Sequence, residues 1–227
     1  MAVINDPNAS ANISGVGNVI YSPLHTTSGP FPIGSGGAYR LSMQSGLMAV
    51  SLGANAEIFQ FRYVTSSSRV CLVHGIWMSA GPLVAATAAS LQCFRATIAR
   101  SWSGIGSGGT RATLTTNNAK LRTSHATSEV SDIGISSTTG LTAGTKTFDA
   151  QDFGSISYAI GTGAITTGVS LIWVPKVSLF DSGNLGFPII LADQEGFAIR
   201  NHSANAHPAG STWTFSVDVL WTECDSF

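Results

Sequence analysis

The chain has 227 residues, enough to bury the core of one large β domain, and its composition excludes several classes of protein. Charged residues make up 10 %, against about 25 % in an average domain, and 11 basic residues against 12 acidic ones leave a net charge of −1. Without a basic field, we expect no nucleic-acid partner. Because no long apolar run or secretion signal is visible, we also expect no membrane partner and synthesis in the cytoplasm.

Small neutral residues take the place of charge in this chain. It contains 30 serines, 22 threonines and 25 glycines, and its mean hydropathy is +0.24. A solitary soluble domain usually has a surface in which about 25–35 % of the residues are charged. A chain without such a surface is expected to work in an assembly, where hydrogen bonds and packing cover much of it and salt bridges to neighbours contribute little.

Residues 1–37 are predicted to form an extended N-terminal arm. Four prolines and six glycines in this stretch prevent a helix and allow only a short strand around Val16–Tyr21. The stretch is too apolar for a solvated tail, so we expect the arm to pack on a partner rather than to fray. The arm residues predicted to lie in this protein interface are Ile13, Val16, Val19, Tyr21, Leu24, Phe31 and Ile33.

Residues 38–227 are predicted to form one β-sandwich domain, because apolar and polar residues alternate between clusters of glycine, serine and asparagine. The predicted strands are Tyr39–Met43, Glu57–Val64, Arg69–Met78, Leu91–Trp102, Val130–Ser136, Phe153–Ile160, Phe187–Leu191, Gly196–Arg200 and Thr212–Thr222. Helical turns are expected at most in Pro82–Ser90 and Asn118–Ser124. The predicted fold is all-β: an antiparallel two-sheet sandwich, jelly-roll-like, with the extended arm.

No motif of known catalytic chemistry stands out, so we predict no enzyme and no cofactor. The stretch Gly104–Gly109 lacks the lysine and hydroxyl of a phosphate loop. The three cysteines, far apart, are predicted to be small buried apolar residues, and a metal site at His202 and His207 would need a third ligand. Three carboxylate pairs are candidates for catalytic acids, and the last two are also candidates for calcium ligands: Glu129 with Asp132, Asp149 with Asp152, and Asp193 with Glu195.

Two long connections and one tryptophan are the candidates for contact with a partner. The connections Ser101–Thr116 and Ser136–Thr147 are rich in small residues, and long loops on a β scaffold are where partners usually bind. Trp102 lies at the edge of the first connection and is predicted to be exposed in the protein interface. The three tryptophans predicted to lie in the core are Trp77, Trp213 and Trp221.

Six stretches of the sequence resemble a recurrent group of tailed-bacteriophage virion proteins, over roughly residues 69–222. They are Ala99–Ser103, Gly108–Thr110, Leu114–Ser124, Leu141–Thr145, Glu195–Arg200 and Gly210–Val217. These stretches are turns and strands, with no catalytic residue to carry over. The resemblance implies a structural protein of the particle, and small jelly-roll proteins of such phages often act as trimeric head cement or decoration subunits.

The resulting expectation is a non-enzymatic cement or decoration protein that is made in the host cytoplasm and lies on the outer surface of the virion capsid. Its partners would be the major capsid protein and two further copies of itself in a homotrimer. One alternative is a tail or head-fibre component whose β-sandwich binds a host glycan. A free β-sandwich enzyme or lectin is the second alternative, disfavoured because the sequence shows neither clustered histidines nor a distinctive carboxylate pair.

Overall fold

Eleven strands and one short helix make up the regular structure of the described residues. The structure is a computed structural model, and it describes residues 37–48, 52–84, 90–115, 117–160, 176–202 and 212–225. The strands are β1 (Gly37–Gln44), β2 (Glu57–Tyr63), β3 (Arg69–Val84), β4 (Ser90–Gly104), β5 (Thr110–Arg111), β6 (Val130–Ile135), β7 (Thr145–Ile160), β8 (Val177–Asp181), β9 (Ile189–Leu191), β10 (Glu195–Asn201) and β11 (Thr212–Asp225). The helix α1 (Ser182–Leu185) lies between β8 and β9.

The strands form two antiparallel sheets with the strand order of a jelly roll. The first sheet has the order β1-β11-β3-β8, with β9 also paired to β3, and the second has the order β5-β6-β2-β10-β4-β7. Strands pair from the two ends of the domain inward: β1 with β11, β2 with β10, β3 with β8 and β9, and β4 with β7. This nested pairing defines a jelly roll, so the predicted all-β sandwich is confirmed.

Aromatic rings from both sheets fill the core between them. Tyr39 of β1 stacks on Trp221 of β11 with 5.4 Å between ring centroids, and Phe61 of β2 meets the same tryptophan edge-on at 5.3 Å. Towards the other end of β11, Phe94 stacks on Trp213 at 5.6 Å. Burying a large apolar side chain contributes about 1.5–3 kcal/mol, so these strand faces supply much of the free energy of folding.

A bulge in the centre of the first sheet changes which side chains of β3 face outwards. The register of β3 and β11 shifts between Leu220 and Trp221, and His74 falls within this shift. On one side of the bulge Val73 points into the core, and on the other side Ile76 and Met78 do so. The ring of His74 therefore lies on the outer face, where it is nonetheless buried, at 6 % exposed.

The strand boundaries differ from the prediction where polar residues or a proline weakened the pattern. Strand β7 begins eight residues before the predicted Phe153, and β5 and β8 were not predicted. The segment Pro82–Ser90, predicted to be helical, instead has its described ends in β3 and β4. Asn118–Ser124, the second predicted helical segment, forms turns and an isolated bridge to β1.

The predicted arm lies outside the described residues, apart from Gly37, which begins β1 and so belongs to the sandwich. The arm residues assigned to a protein interface, from Ile13 to Ile33, therefore have no described position. All described residues belong to the compact unit Ile33–Phe227. In the part of the chain that the structure describes, no helix is long and apolar enough to cross a bilayer.

Candidate functional site

Two connections fold over the outer face of the second sheet, the face turned away from the first sheet. They are residues 105–109, between β4 and β5, and residues 136–144, between β6 and β7. The Thr142 amide donates to Ser107 O over 3.0 Å, and the Leu141 amide donates to Glu57 O over 2.7 Å. Both loops belong to the longer connections Ser101–Thr116 and Ser136–Thr147, for which contact with a partner stays a prediction, and here they pack on their own sheet. We call the surface beneath them the covered face.

A buried ion pair lies at the centre of the covered face. Lys146 Nζ is 2.8 Å from Glu57 Oε2, and the two side chains are 1 % and 4 % exposed. The Trp102 ring centroid lies 4.3 Å from this nitrogen and the Phe148 ring centroid 5.2 Å from it. Burial lowers the pKa of Lys146, although Glu57 opposes the shift, because the ammonium has lost its water.

Gln60 and Arg111 extend the cluster from the ion pair. Gln60 is fully buried, and its Nε2 donates to Glu57 Oε2 over 2.6 Å, the same oxygen that binds Lys146. Gln60 Oε1 accepts from Arg111 Nη1 over 3.3 Å. The same arginine donates to Asp132 Oδ2 over 2.6 Å. The cluster thus places an amine, a carboxylate and a carboxamide side by side, out of contact with bulk water.

Sequence reasoning missed this cluster, although two signals pointed to it. Gln60 alternates with Phe59 and Phe61 along β2 and so lies on the polar face of this strand, yet the covering loops bury it completely. Lys146 is one of only three lysines in the chain and stands in a neutral loop sequence. When a neutral segment packs on the rest of the fold, a charged side chain within it is usually paired with an opposite charge.

Trp102 is buried in the covered face, which corrects the prediction that it is exposed in a protein interface. Its exposure is 0 %, and its indole N–H donates to Gly104 O over 3.0 Å. The physical reason is the path of the following loop, which folds back over β4 instead of projecting into solvent. Trp213 and Trp221 lie in the core as predicted, whereas Trp77 is half-buried on the outer face of the first sheet.

The carboxylates of the second candidate pair bind arginines. Asp149 accepts from Arg100 Nε over 2.8 Å and from Arg100 Nη2 over 3.0 Å. Asp152 pairs with Arg95 at 3.3 Å and with Arg200 at 3.6 Å. These two-point contacts tie β7 to β4 and β10, the strands that follow it inward in the second sheet.

The first and third candidate pairs likewise have partners within the fold. Asp132 is held by Arg111, as described above, and Glu129 accepts from Ser67 Oγ over 2.9 Å. In the third pair, Asp193 accepts the Thr65 amide over 3.0 Å. Glu195 accepts the Ala192 amide over 2.9 Å, which closes the turn before β10.

A second buried carboxylate lies at the end of β11. Glu223 is 1 % exposed and accepts from Ser128 Oγ over 2.5 Å and from the Glu129 amide over 3.0 Å. Trp221 Nε1 is 3.3 Å from the same carboxylate. Burial raises the pKa of Glu223, and these donors only partly offset the shift. The group anchors the segment before β6 to the first sheet.

The described residues contain no cluster of ligands at the metal sites considered from the sequence. There, no three histidine, cysteine or acidic side chains converge on one point. His202 is described, while its proposed co-ligand His207 is not. Cys71 is buried as predicted, whereas Cys93 and Cys224 are half-buried, and none of the three forms a disulfide bond within the described residues.

The exposed part of the described surface is largely neutral, since most charged side chains pair within the chain. Ten ion pairs join charged groups of the described residues. Exposed positions are chiefly serine, threonine, glycine and asparagine, as in Ser66–Ser68. Two large apolar side chains within four residues also face solvent, Phe187 at 81 % and Ile190 at 52 % exposed.

On the outer face of the first sheet, the Trp77 ring lies against Gly75. A Cβ atom at Gly75 would be 2.1 Å from the indole ring, so only glycine leaves room for it. Lys176 Nζ is 5.0 Å from the ring centroid and pairs with Asp218. Arg40 is 4.0 Å from the same carboxylate. A half-buried ring is thus surrounded by groups that can donate and accept hydrogen bonds.

Comparison with known proteins finds no relative. No family model, no curated protein and no solved structure matches the chain. The resemblance to virion proteins of tailed phages therefore stays a prediction from the sequence.

Proposed function

We propose that this chain is a non-enzymatic structural protein of a tailed-bacteriophage virion, a cement or decoration subunit that binds the major capsid protein. The observation that carries the proposal is the distribution of charge. The ion pairs lie within the chain, and hydroxyl groups and two apolar side chains, Phe187 and Ile190, face outwards. Such a surface is suited to permanent contact with neighbouring subunits rather than to a free monomer.

The action of such a subunit is mechanical. A homotrimer on the outer surface of the capsid would lie over joints between major capsid subunits, with the N-terminal arm adding strand or groove contacts. The buried area would raise the barrier to rupture under the pressure of packaged DNA. Contacts made by hydrogen bonds and packing persist at ionic strengths that screen exposed charge pairs.

The copy number of the protein in purified particles tests the proposal. Native mass spectrometry of the free protein and quantitative gel densitometry of particles should give a trimer present in hundreds of copies. A low copy number would move the protein to the tail or a head fibre. A stable monomer that is absent from particles would overturn the virion assignment altogether.

The arm can be tested separately. Deleting residues 1–30 should leave the sandwich folded, because the described residues from 37 to 225 form two paired sheets with an aromatic core between them. The truncated protein should no longer bind expanded heads in a sedimentation assay. Full binding by the truncated protein would show that the arm has no part in attachment.

Trp77 favours a second candidate function, a tail or head-fibre component that binds a host glycan. The half-buried ring lies under Lys176, which pairs with Asp218, so a sugar that displaced this lysine would stack on the ring and bond to both charged groups. A glycan array should then give a reproducible hit with the wild type that Trp77→Ala loses. Leu121→Ala, a change at an exposed apolar residue on another loop, is the matched control and should keep the hit. A wild type that binds no glycan excludes this candidate.

A further inference from the structure

The covered face holds the three groups needed for an acyl transfer within the chain. They are the amine of Lys146, the carboxamide of Gln60 and the carboxylate of Glu57. We propose that Lys146 and Gln60 join in an isopeptide bond, with Glu57 transferring the protons and Arg111 stabilising the charge on the carbonyl oxygen. This inference stands apart from the proposed function, because it concerns only groups within one chain.

The two reacting groups meet at a single oxygen atom. Lys146 Nζ lies 2.8 Å from Glu57 Oε2, and Gln60 Nε2 lies 2.6 Å from the same atom. The carboxylate therefore already contacts both the attacking nitrogen and the nitrogen that would leave. The reaction requires the lysine nitrogen to move from this shared oxygen towards the carboxamide carbon of Gln60.

Burial shifts the amine towards its neutral, nucleophilic form. Its side chain is 1 % exposed, while Glu57 and the rings of Trp102 and Phe148 favour the charged form. Burial lowers the pKa of Lys146, so passing its proton to Glu57 removes two buried charges at once. A charged ammonium in water would have no lone pair with which to attack.

The carboxamide is polarised from its other side. Gln60 Oε1 accepts from Arg111 Nη1 at 3.3 Å, so a guanidinium lies beside the carbonyl oxygen. The carbonyl oxygen becomes negative when the tetrahedral intermediate forms, and a fixed cation beside it stabilises that charge. Arg111 is itself anchored by Asp132 at 2.6 Å, so its position does not depend on the reaction.

The proposed reaction is balanced without any outside reagent. Glu57 first takes one proton from the Lys146 ammonium, and the neutral Nζ then forms a bond to Gln60 Cδ while the carbonyl electron pair moves onto Oε1. Glu57 passes this proton to Nε2 and takes the second proton from Nζ, the carbonyl re-forms, and the Cδ–Nε2 bond breaks. The departing ammonia carries the second proton away as ammonium, so one amide replaces another and the carboxylate is regenerated. Exclusion of water protects the glutamine from hydrolysis in the meantime.

The mass of the intact protein tests the inference directly. The folded wild type should be lighter than its sequence by one ammonia, about 17 Da. After tryptic digestion, cleavage at Lys146 should be lost, and the peptide ending at Arg62 should be joined to the peptide that contains Lys146. A wild type that stays at its full mass during prolonged incubation at neutral to mildly alkaline pH, with normal cleavage at Lys146, would overturn the proposal.

Three variants separate this bond from other losses of ammonia, such as cyclisation at an asparagine. Lys146→Arg and Glu57→Gln should both keep the full mass, while circular dichroism and native size confirm that each is folded. Glu223→Gln alters a carboxylate that is equally buried but lies in another cluster, and it should still lose ammonia. Persistence of the loss in folded Lys146→Arg would show that it arises elsewhere and would refute the proposed bond.

Discussion

Gly106 is the residue at which the covered face closes most tightly. A Cβ atom at this position would lie 1.9 Å from Thr142 O and 2.9 Å from Gln60 Nε2. Because the first neighbour is backbone, the loop would have to move to admit a methyl group.

Gly106→Ala is therefore expected to lower the free energy of unfolding by about 1–3 kcal/mol. Gly53→Ala is the matched control, since a Cβ there would meet no atom within 4 Å, and it should change stability by less than about 0.5 kcal/mol. Urea denaturation of both variants and the wild type measures the difference. Equal stability of the two variants would mean that the loop does not pack as described.

His74 should make stability depend on pH near neutrality. Burial lowers the pKa of this histidine from its ordinary 6.5, and its Nε2 lies 2.9 Å from Thr222 Oγ1. As the pH falls below 6.5, the unfolded chain takes up a proton that the folded chain does not. The contribution of His74 to the free energy of unfolding is therefore fully present above this pH, and it declines as the pH falls towards the lowered pKa of the folded state.

The variant His74→Gln isolates this contribution from that of the carboxylates. Between about pH 7.5 and about pH 5.5 the wild type should lose more free energy of unfolding than the variant does. Chemical denaturation across this range gives both curves. Parallel curves would show that the histidine is protonated equally in the folded and unfolded chains.

At the scale of elements, the protection of backbone amides from hydrogen exchange should depend on the position of each strand within its sheet. Strand β11 lies between β1 and β3, and its apolar face is buried, whereas β5 has two residues and pairs only with β6 among the described strands. Hydrogen exchange followed by mass spectrometry should find the slowest amides in β11 and fast ones in β5. Equal exchange in peptides covering the two strands would contradict the described topology.

The elements that the sequence predicted best are those with one solvated and one buried face. Strand β11 alternates from Thr212 to Trp221, so the pattern of this part alone shows how it packs. The early part of β7, which contains the polar run Asp149–Asp152, gives no such pattern because its side chains form ion pairs with neighbouring strands. Proline at 82 suggested a break, yet β3 continues to Val84 and stays paired with β11 up to that residue.

The candidate site was less predictable than the fold, because it depends on loops that return to the sheet. Gln60 and Trp102 each lie on strands that were correctly predicted, yet both are covered by connections whose path the local sequence does not encode. Trp77 shows the reverse case: a bulge and a glycine place the ring outside the core. Periodicity identifies which side chains share a face, but not what covers that face.

At the scale of the whole molecule, Phe187 and Ile190 are the exposed apolar residues to test for assembly. The double variant Phe187→Ser/Ile190→Ser should change the free energy of unfolding little, by about 0.5 kcal/mol or less, because both side chains are already in solvent. It should weaken trimer formation or attachment to particles, measured by native mass spectrometry and sedimentation. Leu121→Ser, 52 % exposed on another loop, should behave as the wild type does. Unchanged assembly of the double variant would place the contact elsewhere.

The nested strand order has a consequence for synthesis on the ribosome. In the first sheet β11 lies between β1 and β3, and in the second β10 lies between β2 and β4. Both of these central strands come from the last third of the described chain. Until residue 225 has left the exit tunnel, the first sheet lacks the strand that joins β1 to β3. Nascent chains therefore carry unpaired apolar strands throughout elongation, and folding of this domain is expected to be completed only after translation has passed β11.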